Sequence, residues 1–469
     1  MKKLHKLSLC VCAALCLASC DDYLDIKPKG IKIPETSADY ERLLNYKTLQ
    51  KSVDIYSVYM SDDVWLADDG VYGNFVSKKL YVKNLYTFNS EVFGDGETDH
   101  FWEDCYKHIY YYNVIADEVM GAADDTEEHK RQLRAEALLG RAYEYLTLVN
   151  GYANHYDPKT AATDPGVPLQ LDQDLNKENL QRASVQEVYD QIKRDLEEAA
   201  PNLPDKPALN AFRASKPVGY GILARMYLYM GDYEKALKNA EISLQHNSTL
   251  LNLLNYEVVD SMQAIGRINV PEAIPTTQKP INPENIYIRM PYMEMGVTGE
   301  VFISEEFDSL FDHKNDQRYL LYISDKMRGK QLEASLWMPY LRVNIALATP
   351  EIYLIAAECE ARIGNKDKAM EYINKLRDNR IFNNVPLTAA TNQEALKLVL
   401  DERRRELPML GGIRLSDLKR LNREPEFAKT IVHEVNGQKY VLEPNSPKYI
   451  LPIPPKVLRF NPGMTPNLR

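Results

Sequence analysis

Between Arg131 and Tyr152 the chain reads Arg-Gln-Leu-Arg-Ala-Glu-Ala-Leu-Leu-Gly-Arg-Ala-Tyr-Glu-Tyr-Leu-Thr-Leu-Val-Asn-Gly-Tyr, and this stretch admits few folds. Leu138, Ala142, Tyr145, Val149 and Tyr152 recur at spacings of three and four, on one helical face. Ala135, Leu139, Leu146 and Leu148 make a second apolar stripe, so the helix must be covered on more than one side. Small residues at Ala135, Ala137, Gly140 and Ala142 let a neighbouring helix approach closely, as in stacked helix pairs. Thr126 is placed to cap the helix, with Glu127 and Glu128 in the first turn, where negative charge suits the dipole.

Two later stretches share this grammar. In Val218–Leu244 a first helix ends at Gly231, Asp232-Tyr233 opens a second, and Ala236 and Ala240 fit the interface, as in a tetratricopeptide pair. The spacing recurs in Tyr353–Gly364 followed by Ala369, Ile373 and Leu376. Two copies are too few and too far apart for a pure solenoid. The expected fold is therefore mainly α: a tetratricopeptide-like helix-pair scaffold with long irregular insertions and a few short β-hairpins.

The remaining segments fit around this scaffold. Ser37 is a plausible N-cap for a helix carrying Tyr40, Leu43, Leu44 and Tyr46. Residues 52–99 lose periodicity and collect aromatics and turn formers, and a long loop-rich insertion in a helical protein is usually functional or disordered. The aromatics argue against disorder. Trp102, Tyr106, Ile109, Asn113 and Ala116 share a helical face, and Ser184 caps Val185–Ala200, which Pro201 and Pro204 end. Residues 251–347 are irregular and rich in Pro, Tyr and Met, with a strand-like run at Ile286–Tyr292 and room for one or two hairpins. The chain then predicts a helix over Glu394–Leu407, an exposed acid/base helix around Arg414 and Asp417, a Val432–Leu442 hairpin about Asn436-Gly437, and an extended tail at Tyr449–Pro455.

The N-terminus is the most specific local signal. Lys2, Lys3 and Lys6 precede an apolar run from Leu7 to Leu17, shorter than the roughly 20 residues that span a bilayer, so it reads as a secretory signal. It ends Leu17-Ala18-Ser19-Cys20, which resembles a bacterial lipobox in which Cys20 receives lipid. Asp21 and Asp22 resemble an export signal of surface lipoproteins in Bacteroidetes-type bacteria. Residues 21–35, with two prolines and a glycine, read as an extended tether. Beyond Cys20 only Cys105 and Cys359 remain, both in helical patterns, where buried thiols are expected rather than a bridge.

Little in the chain points to catalysis. No His-Glu-x-x-His, Gly-x-Ser-x-Gly, P-loop or Cys-x-x-Cys motif occurs in the mature sequence. His100 and His108 read as isolated surface histidines. Asp95, Glu97 and Asp99 miss the EF-hand spacing for Ca²⁺ and read as a solvated acidic turn. A net charge of −10 without a Lys/Arg block argues against nucleic acid. Glu402-Arg-Arg-Arg-Glu406 suits either an anion site or, by preference, a salt-bridge network closing the last helix pair. Neither a cofactor nor a metal is implied. What stands out is aromatic: Trp65, Tyr72, Phe75 and Tyr81 in the first insertion, and Tyr292, Trp337 and Tyr340 in the second. Flat rings stack on the apolar faces of sugars while nearby polar groups bind the hydroxyls, although such rings also pin loops onto a body.

In order along the chain, several further stretches carry a resemblance. They are Leu17–Gly30, Trp102…Asn113, Ala135-Glu-Ala…Arg141-Ala-Tyr running to Gly166–Leu169, Ser184–Tyr189…Asp195-Leu, Asp316-Gln-Arg318, Thr349–Glu358, Asn374…Arg377, Glu402-Arg-Arg…Glu406-Leu, Arg414…Arg420 and Leu451–Pro454…Asn461-Pro462. Together they resemble the SusD/RagB family of outer-membrane nutrient-binding lipoproteins over almost the full length. The resemblance implies residues 1–19 as lipoprotein signal peptide and 20–469 as one SusD-like domain. Within it, 20–35 is the tether, 36–250 an N-terminal helical part with insertion 52–99, 251–347 the irregular insertion, and 348–469 a C-terminal helical part with extended tail. It also implies a non-enzymatic protein, lipid-anchored at the outer membrane and facing the exterior, that delivers an oligosaccharide to a SusC-like TonB-dependent transporter. The chain departs from the family pattern at Met464–Asn467, and its three tryptophans are few for a starch-type aromatic arc. A peptide ligand, as in the RagB-like branch, a lipid-anchored helical scaffold without small ligand, and a glycoside hydrolase are the alternatives; no carboxylate pair is marked out for the last.

Overall fold

The computed structural model describes residues 34–469 apart from 53, 55, 95–96, 175–179, 259–267, 270–281, 292–298, 328–329 and 340–343. Cys20, the signal segment, most of the tether, Tyr292 and Tyr340 lie outside the described residues. The helices are α1 Ser37–Leu44, α2 Leu80–Tyr86, α3 His100–Glu118, α4 Glu127–Tyr152, α5 Val185–Asn202, α6 Lys216–Met230, α7 Tyr233–His246, α8 Glu305–Asp308, α9 Gln317–Tyr322, α10 Thr349–Ile363, α11 Lys366–Arg377, α12 Asn392–Glu406, α13 Ile413–Leu421 and α14 Pro455–Phe460.

The scaffold is a row in which each helix packs on the next: α3 on α4, α4 on α5, α5 on α6, α6 on α7, and α10 on both α11 and α12. Helix α7 also packs directly on α10, so the row closes across the second insertion. Helix α4 is enclosed by its neighbours along most of its length. Fully burying Leu139, Leu148 and Val149 contributes roughly 1.5–3 kcal/mol each. The ring of Tyr112 fills the space where a side chain on Gly140 would stand, which is the close approach the small residues predict. Gly231 and Gly364 end α6 and α10 with φ of +77° and +106°, the left-handed conformation that glycine alone adopts without strain. Asp232 caps α7 by accepting the Lys235 N–H.

Buried ion pairs bind the row together. Arg141 of α4 donates two bonds of 2.8 Å to Asp195 of α5. Arg213 meets Glu136, Arg225 meets Glu351 across α6 and α10, and Arg420 meets Glu358. Around α12, Glu402 receives Arg318, Arg377 and Arg405, Glu406 receives Arg318 and Arg380, and Arg403 reaches Asp417. The Glu402–Glu406 run is a salt-bridge network that ties α12 to α9, α11 and α13.

Several expectations need correction. Helix α13 is buried rather than exposed: Asp417, Lys419 and Arg420 are each less than a tenth exposed, because each charge meets a partner from a distant segment. His108 is buried too, with Nδ1 2.9 Å from Glu144. The cap of α1 is Thr36, which forms a capping box with Asp39, while Ser37 is the first helical residue and binds Asp124 and Asp125. The first insertion contains the short helix α2, and Pro455 opens α14 instead of prolonging an extended tail. Cys105 and Cys359 are buried free thiols. The hairpin turns at Asn436-Gly437, with φ of +50° and +75° as a type I′ turn requires. Among the described residues no helix is long and apolar enough to cross a membrane.

Candidate functional site

The two insertions, separate in sequence, build one small sheet. Strand β1 Val64–Trp65 of the first pairs antiparallel with β2 Phe302–Ile303 of the second, with Trp65 opposite Phe302. Phe302 in turn faces Leu336 of β4 Lys330–Trp337, which pairs with β3 Ile323–Met327. Opposed residues project on the same side of a sheet, so the rings of Trp65 and Phe302 meet, 5.2 Å between centroids. Ala67, Leu336, Met338 and Tyr72 complete a small apolar cluster around them. Tyr72 is brought there by a tight loop in which the Ala67 N–H donates to Gly73 O and the Phe75 N–H donates to Ala67 O. Gly73 sits at φ +53° against the Phe302 ring, so the loop lies flat on β2 only because no side chain intervenes.

Beside this cluster opens a cleft of about 700 Å³. It is lined by Val64 and Trp65 of β1, by Glu305, Glu306 and Glu333, and by β5 Ile431–Val435 of the hairpin that β5 forms with β6 Gln438–Leu442. The floor is fixed by ion pairs. Asp62 accepts two bonds from Arg414, at 2.8 and 2.7 Å, and meets Lys429 at 2.5 Å and Arg404 at 3.2 Å. Arg404 also meets Asp63 and Glu306, each at 2.6 Å. Burial would raise the Asp62 carboxyl, but Arg414, Arg404 and Lys429 hold it well below the usual range. Glu306 is likewise held low, since Lys429 and Arg404 outweigh its partial burial.

His433 closes the inner wall. Its ring stacks on Tyr86 at 4.0 Å and on Phe88 at 4.8 Å, with Nδ1 2.7 Å from Tyr86 O and Nε2 3.0 Å from Ser61 O. Burial pushes the imidazole below its ordinary value, against the two carbonyls that favour its charged form. The result is a rigid floor under a half-buried indole. Such a surface can stack a sugar ring on the indole and accept hydrogen bonds from hydroxyls at the carboxylates.

Of the aromatic candidates, Trp65 lines the cleft and Tyr72 packs beside it. Phe75 leans on Tyr86 beneath the Lys83 ammonium, and Tyr81 packs edge-on to Tyr56; neither lines the cleft. Trp337 is only 2% exposed and stacks on Tyr322, leaving no free face in this arrangement. It stands at the end of β4. Of the acidic turn, Glu97 accepts the Gly94 N–H and Asp99 caps α3 and accepts the Tyr152 hydroxyl, while Asp95 lies outside the described residues. Among the described residues no three His, Cys, Asp or Glu side chains form a metal set. Glu305, Glu306, Glu333, Glu434 and Lys429 were not legible as site residues. The acidic doublet Glu305-Glu306 is the local signal that marks one of these segments, as Asp62-Asp63 marks the segment that carries Trp65.

Comparison with known proteins gives a consistent picture. A family model described as "Starch-binding associating with outer membrane" matches residues 22–228, and the SusD family model matches residues 335–469. SusD-like protein P25 of Formosa agariphila is 23% identical over 83% of this chain and 84% of its own length. A SusD-like carbohydrate binding protein from Bacteroides vulgatus superposes with a TM-score of 0.68 at 21% identity, covering 92% of this chain and 98% of that one. A laminarin binding SusD-like protein does so at 0.63 and 17% identity, covering 92% and 99%.

Proposed function

Because the chain belongs to the SusD/RagB family, we propose that it binds an oligosaccharide in the Trp65 cleft and passes it to a TonB-dependent transporter of the SusC type. In this reading Cys20 carries the lipid that holds residues 20–469, a single functional unit, at the outer membrane with the cleft outward, and the protein binds rather than converts its ligand. The observation that carries the reading is a half-buried indole beside a cleft of about 700 Å³ whose floor is locked by ion pairs. A ligand then meets a preformed surface, which reduces the ordering cost of binding. The laminarin binding relative supports a glycan as ligand class.

The test is calorimetry with the soluble chain from Asp21 against plant, host and microbial glycans, with oligopeptides alongside. For a glycan that binds, Trp65→Ala removes a central aromatic contact and should weaken affinity by about 2 kcal/mol, roughly thirtyfold. Unchanged affinity in that variant rules out this cleft as the site. Peptide binding without glycan binding replaces the ligand class.

A further inference from the structure

Resting on the reading of this cleft as a glycan site, we infer that it selects neutral or amine-bearing oligosaccharides and rejects those carrying uronate or sulfate groups. The inference comes from where charge is left over. In and behind the lining, three carboxylates, Asp62, Asp63 and Glu306, are matched by three cations, Arg404, Arg414 and Lys429. Asp308 is paired with His313 at 2.9 Å. Lys429, the cation in the cleft lining, is engaged by Asp62 and Glu306 together.

Three lining carboxylates remain: Glu305 at the start of α8, Glu333 in the middle of β4 and Glu434 on the outward side of β5. All three are exposed, and none has a hydrogen bond or ion pair among the described residues. They come from three separate elements that line the same cleft as Trp65, so a ligand in the cleft meets them together with the indole. An ionised carboxylate accepts hydrogen bonds and donates none. A sugar hydroxyl or ammonium supplies the donor it needs. A uronate or sulfate brings only acceptor oxygens and a second negative charge, and Lys429, the one lining cation among the described residues, is already bound. The cleft walls lower the local dielectric, which strengthens this discrimination relative to open water.

The experiment compares binding of three classes to the soluble chain: neutral β-glucan and cello-oligosaccharides, glucosamine oligomers, and oligogalacturonate with chondroitin sulfate oligomers. Hits are expected only in the first two classes. A glucosamine oligomer that binds should weaken by roughly tenfold as salt is raised from low to physiological strength, because its attraction to the exposed carboxylates is screened. Changing Glu305, Glu333 and Glu434 together to Gln should abolish that salt dependence and raise retention of the acidic oligomers. Because all three side chains are exposed and have no partner among the described residues, the melting temperature of this variant checks that the fold is intact. Tight binding of an acidic oligomer to the unaltered protein overturns the selectivity while leaving the glycan reading in place. No binding in any class overturns the glycan reading itself.

Discussion

Glu402 and Glu406 on α12, and Glu305 and Glu333 in the second insertion, are the same residue type in opposite states of partnership. Glu402 is fully buried and receives Arg318 at 2.7 Å, Arg405 at 2.8 Å and Arg377 at 3.0 Å. Glu305 and Glu333 stand exposed on the cleft wall with no partner among the described residues. The first pair sits where removal from water has to be compensated, and the second where a ligand arrives. The contrast also explains the family stretches. Arg141, Asp195, Arg318, Glu358, Arg377, Glu402 and Asp417 hold helices to one another, so the residues that carry the resemblance mark a fold and are silent about ligand.

The sharpest way to break this comparison is Glu402→Gln. Burial alone would raise this carboxyl, but Arg318, Arg405 and Arg377 hold it far below its usual range, so it is the counter-charge to three guanidinium groups. Removing it leaves buried cations under-compensated and should cost about 3–5 kcal/mol in urea unfolding. A loss below about 1 kcal/mol would mean that water reaches the network.

The next effect is in acid. Burial pushes Glu358 up, yet Arg420 and Arg362 bring it from 4.5 down to about 2. A carboxyl depressed in the folded state stabilises above its unfolded value and loses that contribution as pH falls toward the folded one. Between pH 4.5 and about 2 this one group accounts for a loss on the order of 3 kcal/mol. In Glu358→Gln the acid limb of the stability curve should be shallower by about one proton's worth, which unfolding curves across that window would show. An unchanged slope would assign acid lability to other pairs. The smallest effect belongs to the cleft: Glu333→Gln should alter stability by less than about 0.5 kcal/mol, since no contact is lost. A larger change would reveal a structural role for that side chain.

The legible parts of the fold were those set by local periodicity. The left-handed glycines at 231 and 364, the apolar face of α4 and the Asn436-Gly437 turn each act within a few residues. Helix α13 misled because a run such as Arg-Leu-Ser-Asp-Leu-Lys-Arg looks solvated. Its partners Asp62, Glu358 and the Asn150 carbonyl lie far away in sequence, and nothing local shows that they return. The sheet joining Trp65 to Phe302 was hidden for the same reason, as was the burial of His108 against Glu144. Trp65 was visible as an aromatic outside any helical pattern. Trp337 looked the same in sequence and lies in the core, because exposure of a loop ring depends on what folds over it.

The direct packing of α7 on α10 has a consequence for how such a protein can be re-engineered. The helix-on-helix contacts of the row bypass the roughly hundred residues between those helices, but Arg318 and Glu284 of that segment are buried partners of Glu402, Glu406 and Arg380, so a transplanted segment has to carry them as well. The attachment points are equally defined: a transplanted segment has to retain an acid at Glu306 for Arg404 and Lys429, and an edge at Phe302 for Val64–Trp65. Within those constraints, the exposed side chains that line the cleft are where the chemistry can vary, and one chassis can be refitted for different cargoes.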